Sequence, residues 1–322
     1  MLTGLDFPTV ALLLAAGVLL DLLLGEVRRF HPLVGFGNVA ICLERRLNRG
    51  AWRFPRGLLA WMLAVAPPVA LAWLACSAPG SVQTRNLLLA AQAIMLYFCL
   101  GLRSLREHNL PIAQALAQSD LPQARMLTAR IVSRDTQSAS EADLAKASTE
   151  SLLENGNDAV FGTLFWFMIA GGPGAVLFRL ANTLDAMWGY RTTRLLRFGC
   201  TAARIDDVLN YIPARLTALS YVLLAGGTSG MRRAWHCWST QAPAWSSPNA
   251  GPVMASGAGA LGIQLGGAAI YDGEVEHRPP LGHGQPAQGA DIARAWRLVA
   301  RTTALWLACA AIAATLAEYA HA

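Results

Sequence analysis

Residues 57–78 read GLLAWMLAVAPPVALAWLACSA, 22 positions without a charged side chain. At 1.5 Å rise per residue, a helix of this length crosses the roughly 30 Å hydrocarbon core of a bilayer. Working outward, residues 7–24 and Asn86–Leu102 form further apolar runs, and Leu298–Ala317 forms another that contains only Arg301. The chain of 322 residues is 54% hydrophobic and 14% charged, with a mean hydropathy of +0.36. Soluble domains carry about 25% charged residues, so an ordinary soluble enzyme is excluded. The low charge likewise excludes a disordered chain. The expected fold class is all-α: a polytopic integral membrane helical protein with broken or re-entrant helices and cytoplasmic helical segments. One membrane-embedded domain is expected over residues 1–322, with residues 103–158 as a cytoplasmic helical segment between spans.

Charge places the segments relative to the membrane. Residues 25–56 hold seven arginines against two glutamates, which makes that loop cytoplasmic by the positive-inside rule. The N-terminus is then outside and residue 103 onward is cytoplasmic again. Residues 7–24 lack a basic leader and a small-residue cleavage site, and read as an uncleaved span. Pro67-Pro68 should kink the second span, and residues 79–85 form a short connection to the third. The net charge is +6, and Lys146 is the one lysine. Arginine forks suit phosphates and carboxylates, while a basic excess beside spans reflects orientation and anionic lipid. No P-loop, nucleophile elbow, zinc-protease or RNA-binding signature occurs, so no nucleic-acid partner is expected. The six cysteines show no C-x-x-C spacing and read as reduced packing residues.

From Ala159 to Ala181 the chain is apolar but interrupted by Gly171-Gly172-Pro173-Gly174. Each half is too short to cross alone, so the stretch reads equally as one span or as a re-entrant pair of half-helices. Non-helical backbone at that depth is tolerated only where protein or a water-filled cavity surrounds it. Ile212–Gly227 is a shorter apolar stretch. Val253–Ile270, rich in glycine, suits close helix packing in a bundle. Residues 271–297, with Pro279-Pro280, are polar.

Nine of the twenty carboxylates fall between Asp135 and Asp207, in three clusters. In the first, Arg130 and Arg134 are four apart and share one face of a helix, a costly pairing without an anion between them. Ser133, Asp135 and Thr136 beside them suit a helix cap. In the second, Glu150, Glu154 and Asp158 follow an i, i+4, i+8 spacing that a divalent cation would stabilise. Gly156 suggests that the helix stops there, leaving Asn157 and Asp158 at the mouth of the apolar segment. The third combines Asn182, Asp185, Arg204, Asp206, Asp207, Asn210 and Arg215. Such polar density flanking membrane segments is costly unless functional, and paired acids with arginine offer the oxygen ligands and counter-charges that magnesium and a polyphosphate need. His31 before Pro32 reads as structural, and His277 and His283 lack a third metal ligand.

Taken in order, these motifs resemble the adenosylcobinamide-phosphate synthase family of cobalamin biosynthesis. The matching residues are Asp21 to Gly25 with His31-Pro32 and Gly35, Glu44, and Arg130 to Thr136. Glu150-Ser151, Glu154-Asn155 and Gly171 to Gly174 follow, then Asn182 to Asp185 and Gly189 to Arg191. Ala203 to Asp207, Asn210 to Leu216 and Ser247 to Gly251 complete the series. A departure is Gly162-Thr163-Leu164-Phe165-Trp166, which lacks the proline usual before Leu-Phe-Trp. The resemblance implies a multi-pass enzyme of the bacterial inner membrane, its site facing the cytoplasm. It would join adenosylcobyric acid to aminopropanol phosphate, or a related amino alcohol, using ATP and Mg2+. Other membrane enzymes of the pathway and the lipid bilayer are its implied partners.

A carboxylate is a poor electrophile, so phosphorylation to an acyl phosphate would precede attack by the amine, with charge offset by magnesium and arginine. On that chemistry Asp206 and Asp207 are expected to bind the metal, with Glu154 or Asp158 completing its shell. Arg130, Arg134 and Arg204 would take phosphates, and Asp185 or Glu150 would act as base. Ser133, Asp135, Thr136, Asn155, Asn182, Asn210, Arg215 and His31 are expected as substrate-binding positions. Cytoplasmic substrates favour the re-entrant reading of the Gly-Gly-Pro-Gly break. A non-catalytic sensor would be expected to lose these acids and arginines, and a transporter would more often show inverted repeats, which this sequence does not.

Overall fold

A computed structural model describes residues 4–27, 29, 31–77, 81–271 and 273–321; Arg28 of the basic loop and the start of the 79–85 connection lie outside them. Among the described residues, five helical stretches are long and apolar enough to cross a membrane: Phe7–Leu24, Arg53–Cys76, Val82–Ala117, Glu141–Trp188 and Gly289–Ala320. The all-α membrane architecture expected from the sequence is thus present. The chain divides into two compact units.

The first unit holds residues 1–101, 162–210 and 307–322. It contains α1 (Phe7–Leu24), α2 (Pro32–Leu47), α3 (Arg53–Cys76), α4 (Val82–Cys99) and α8 (Gly162–Trp188). Asp6 caps α1 by accepting from the Thr9 amide, and the Nδ1 of His31 caps α2 by accepting from the Leu33 amide. α3 runs on through Pro67-Pro68. Its buried face, Ala60, Trp61, Ala64 and Val65, packs with Leu180, Ala181, Leu184 and Trp188 of α8. The helix break lies where the glycines place it. Ala170 and Gly171 leave helical geometry, Gly171 with φ +61, a conformation glycine adopts without steric cost. The buried Gln92 side chain of α4 accepts from the Gly172 amide at 3.0 Å. A backbone donor freed at the break is therefore satisfied inside protein, as hydrocarbon depth requires.

The second unit holds residues 102–161 and 211–306, and so includes the polar 103–158 segment. That segment folds as α5 (Leu102–Ala117), α6 (Leu121–Thr128) and α7 (Glu141–Gly156). A capping box between Ser140 and Asp143 starts α7. Contrary to the expected stop at Gly156, the helical path continues as a π-helical turn, Asn157–Phe161. Gly156 is there for close packing: an added Cβ would lie 3.0 Å from Tyr221 Oη and 3.0 Å from Val299 Cγ2. The Thr217 hydroxyl pins the π turn by donating to Asn157 Oδ1 at 2.8 Å.

Val253–Ile270 is the clearest departure from the sequence reading. It is a short buried helix, α11 (Ala250–Leu261), that ends at Gly262 with φ +69 and gives way to a strand. β1 (Ile263–Tyr271) pairs antiparallel with β2 (Glu274–Gly282) and parallel with the two-residue β3 (Gln285–Pro286), in the order β2-β1-β3. The glycines of α11 do pack closely, Gly257 on Leu153 and Gly259 on Ala234 of α10 (Gly227–Gln241). α9 (Cys200–Leu224) and α12 (Gly289–His321) contribute residues to both units.

Candidate functional site

In the second unit the acidic and basic motifs meet at Glu150. Its side chain is only 3% exposed, and the Arg134 and Arg278 side chains are 11% exposed each. Arg134 donates through Nη2 to Glu150 Oε2. Arg278 reaches the same carboxylate twice, Nη1 to Oε2 at 3.1 Å and Nη2 to Oε1 at 3.3 Å. The Gly266 amide donates to Oε1 at 2.7 Å.

Local structure explains each of these contacts. Glu150 projects from the middle of α7. Arg278 sits on β2 opposite Gly267, beside the irregularity between Leu265 and Gly267. There the φ of +73 at Gly266 turns the strand, and a Cβ at that residue would lie 2.2 Å from the Pro279 carbonyl. Such a bulge re-aims backbone groups, here the amide that meets Glu150. Arg278 also lies over the Trp245 ring, 5.4 Å from its centroid. Burial works against the charge of Arg134, but the Glu150 carboxylate outweighs it and holds the guanidinium above its ordinary range.

With four donors on its carboxylate, Glu150 is the anchor of two guanidinium groups, which is a different place from that of a free base. One nitrogen of each arginine, Arg134 Nη1 and Arg278 Nε, is buried without a hydrogen-bond partner among the described residues. Glu154, one turn on from Glu150, is in electrostatic reach of Asp158, Glu150, Arg134 and Arg278. Asp158 accepts from the Asn157 side chain at 3.0 Å, and Asn155 donates to the Ser151 carbonyl at 3.0 Å. The result is a buried group of guanidinium donors flanked by carboxylates, suited to an anionic oxygen with its counter-cation.

The Arg130–Thr136 motif is not helical: α6 ends at Thr128, and turns and bends follow. Arg130 and Arg134 therefore do not share a helix face, and Arg130 and Ser133 are exposed. Nor do these oxygens cap a helix. The Thr136 hydroxyl donates to the Arg125 carbonyl at 3.1 Å. Asp135 joins the hairpin, its amide donating to the Ile270 carbonyl at 2.8 Å and its carboxylate accepting from the Gly273 amide at 2.9 Å. Arg215 donates to the Asn249 side chain at 2.9 Å, to the Pro248 carbonyl at 3.0 Å and to the Tyr211 carbonyl at 3.0 Å. It fixes the Ser247 to Asn249 turn that opens α11.

In the first unit, Asn182 of α8 donates to Asp206 of α9 at 3.4 Å. Asp206 and Asn210 are buried, Asp207 is half-buried and Arg204 is exposed. The Asp185 carboxylate lies over Gly189, where a Cβ would sit 2.1 Å from Oδ1. His31, besides capping α2, meets Phe98 edge-on at 5.9 Å between centroids. Burial, with the nearby Arg179 charge, lowers its pKa although Glu26 opposes this. Glu44 accepts from Arg194 Nε at 3.0 Å and from Asn48 at 2.7 Å.

The residues expected on the metal fall in different units, Asp206 and Asp207 in the first and Glu154 in the second. Among the described residues no three His, Cys, Asp or Glu side chains are grouped to hold a metal ion. Within either unit a pair of carboxylates fits magnesium carried on substrate phosphates, which needs only one or two protein carboxylates, and does not fit an all-protein cage. Sequence reasoning missed Arg278, Gly266 and Gln92. The available signal for Arg278 was that it is the one arginine between Arg233 and Arg294.

Comparison with known proteins covers nearly the whole chain. The family described as CobD/Cbib protein matches residues 14–299. Cobalamin biosynthesis protein CobD of Stutzerimonas stutzeri (strain A1501) is 56% identical over 302 residues, covering 93% of this chain and 96% of that protein. Its namesake in Chromobacterium violaceum is 51% identical over 319 residues, 97% and 99% of the two chains. The Mycobacterium tuberculosis (strain H37Rv) protein of that name is 38% identical over 280 residues, 87% and 88%. No solved structure matches.

Proposed function

From its place in the CobD/Cbib family, to which this chain belongs, we propose that it is a cobalamin-biosynthesis enzyme of the inner membrane. Its reaction is the ATP-dependent joining of adenosylcobyric acid to aminopropanol phosphate, or a related amino alcohol, to give adenosylcobinamide phosphate. The observation that carries this reading is the pair of buried guanidinium groups on Glu150, each with one unpartnered nitrogen, next to Glu154 and Asp158.

Chemically, the amide cannot form from a carboxylate and an ammonium group at neutral pH without activation. Arg134 and Arg278 would bind phosphate oxygens as charge accumulates during phosphoryl transfer. Magnesium, when bound, would supply further neutralisation; Glu154 and Asp158 are its candidate carboxylates in the second unit, and Asp206 and Asp207 are those of the first. Glu150 holds both arginines in place, so the proton of the attacking ammonium goes to another acceptor. The active side faces the cytoplasm, where nucleotide is available.

The test is amide formation by the purified protein in nanodiscs, followed by mass spectrometry. Product is expected only when adenosylcobyric acid, the amine, ATP and magnesium are all present. Product formed equally well without nucleotide would overturn the reading.

A further inference from the structure

A cavity of about 230 Å3 lies in the second unit, walled by the 134–139 loop, the first turns of α7 and the hairpin strands. Its size falls below the roughly 300–1,000 Å3 of sites that hold drug-sized ligands, which suits a small molecule. Its walls carry both signs of charge, Arg134 and Lys146 against Asp135 and Asp143. Ala268, Ala269, Ile270 and Val275 form an apolar side.

Lys146, the chain's one lysine, is tied to this place. Its Nζ donates to the Ala268 carbonyl at 3.1 Å and stands 3.3 Å from Asp143 Oδ1. An ammonium has three donors, so those two contacts leave one for a ligand. Arg134, held by Glu150, adds its guanidinium charge to the cavity wall. A phosphate meets two cations here, and a primary ammonium meets the Asp143 and Asp135 carboxylates. A short carbon chain between them would lie on the apolar side.

We infer that this cavity is the binding site of the phosphorylated amine, a small molecule with one phosphate and one primary ammonium group. The inference rests on the ligase reading above and assigns one of its substrates to a place.

Isothermal titration of the full chain in nanodiscs with aminopropanol phosphate tests it, with inorganic phosphate, unphosphorylated aminopropanol and ATP as parallel probes. Turnover assays accompany the titrations. Saturable binding of aminopropanol phosphate, tighter than either fragment, is expected. Lys146→Met keeps the aliphatic stem and removes the charge. It should weaken binding, or raise KM for the amine, by about 10- to 100-fold, the loss of one charge-assisted hydrogen bond. Asp143→Asn, which retains an acceptor for the Ser140 cap, should lose the preference for aminopropanol phosphate over propanediol phosphate. Ala139→Leu, which narrows the cavity, provides an independent variant. An active enzyme whose KM for the amine is unchanged in both Lys146→Met and Ala139→Leu overturns the site and leaves the ligase reading intact. A shift confined to ATP affinity also overturns it, by making the cavity a nucleotide pocket. Absence of ATP-dependent product from the unmodified protein removes the reading on which the inference rests.

Discussion

Replacing Glu150 by Gln separates an anchor from a base. The carboxylate accepts from Arg134, twice from Arg278 and once from the Gly266 amide. A glutamine keeps one acceptor oxygen and turns an amide donor toward a guanidinium, so two or three charge-assisted bonds are lost. Each is worth about 1.5–3 kcal/mol, but the arginines can relax toward water, and removing one member of a buried ion pair costs about 3–5 kcal/mol. A unit of this size loses about 2–4 °C per kcal/mol, so Tm should fall by roughly 10 °C. The assay is intrinsic tryptophan fluorescence during heating in detergent, with Trp245 beside Arg278 as a local reporter. Glu150→Asp, which keeps the charge, should recover part of the loss. A Glu150→Gln protein with unchanged Tm and no activity would refute the anchoring role and return Glu150 to the position of a base.

Other substitutions probe separate parts of the account. Gly156→Ala places a methyl 3.0 Å from Tyr221 Oη and Val299 Cγ2 and should destabilise by about 1–3 kcal/mol through overpacking; a helix stop at that position would instead be relieved by alanine, raising Tm. The pKa of Glu44 is lowered from 4.5: burial works against its charge, and the hydrogen bonds from Arg194 and Asn48 outweigh burial. A lowered carboxylate pKa stabilises fully above the unfolded value and loses that contribution as pH falls through the folded one. Glu44→Gln should therefore lower Tm at pH 7 and match the unmodified protein in acid below the folded pKa; a Tm difference that persists there would contradict the pairing. Asp206→Asn, expressed normally in the membrane, should require more magnesium for half-maximal activity, whereas full activity at limiting magnesium would remove Asp206 from the metal assignment.

The parts of the fold that were legible depend on local sequence. Long apolar runs mark the membrane helices because a charge facing lipid is costly. Gly171 marks the break because only a residue without Cβ reaches its φ cheaply. What was hidden depends on partners far along the chain. Arg278 stands 128 positions from Glu150, and nothing near it distinguishes an ion-pair partner from a loop arginine. Pro279-Pro280 and the neighbouring glycines look like a loop, yet Pro279 and Pro280 belong to a two-sided hairpin with a bulge at Gly266. Gly156 carries the local signature of a helix stop, and only its neighbours Tyr221 and Val299 show that it is a packing glycine. The Arg130–Thr136 cluster stands out by composition, but its helical spacing misleads because α6 ends before it. Glu150 stands out by its spacing from Glu154 and Asp158, while the four donors on its carboxylate come from residues that spacing does not reveal.

The most direct test of the central claim follows oxygen. Adenosylcobyric acid labelled with 18O in its free carboxylate is incubated with the protein, aminopropanol phosphate, ATP and magnesium, and the phosphorus products are analysed by mass spectrometry. Activation by phosphoryl transfer at the Arg134–Glu150–Arg278 cluster predicts one 18O in inorganic phosphate for each amide formed. Label recovered in AMP, or in no phosphorus product while amide accumulates, would contradict it.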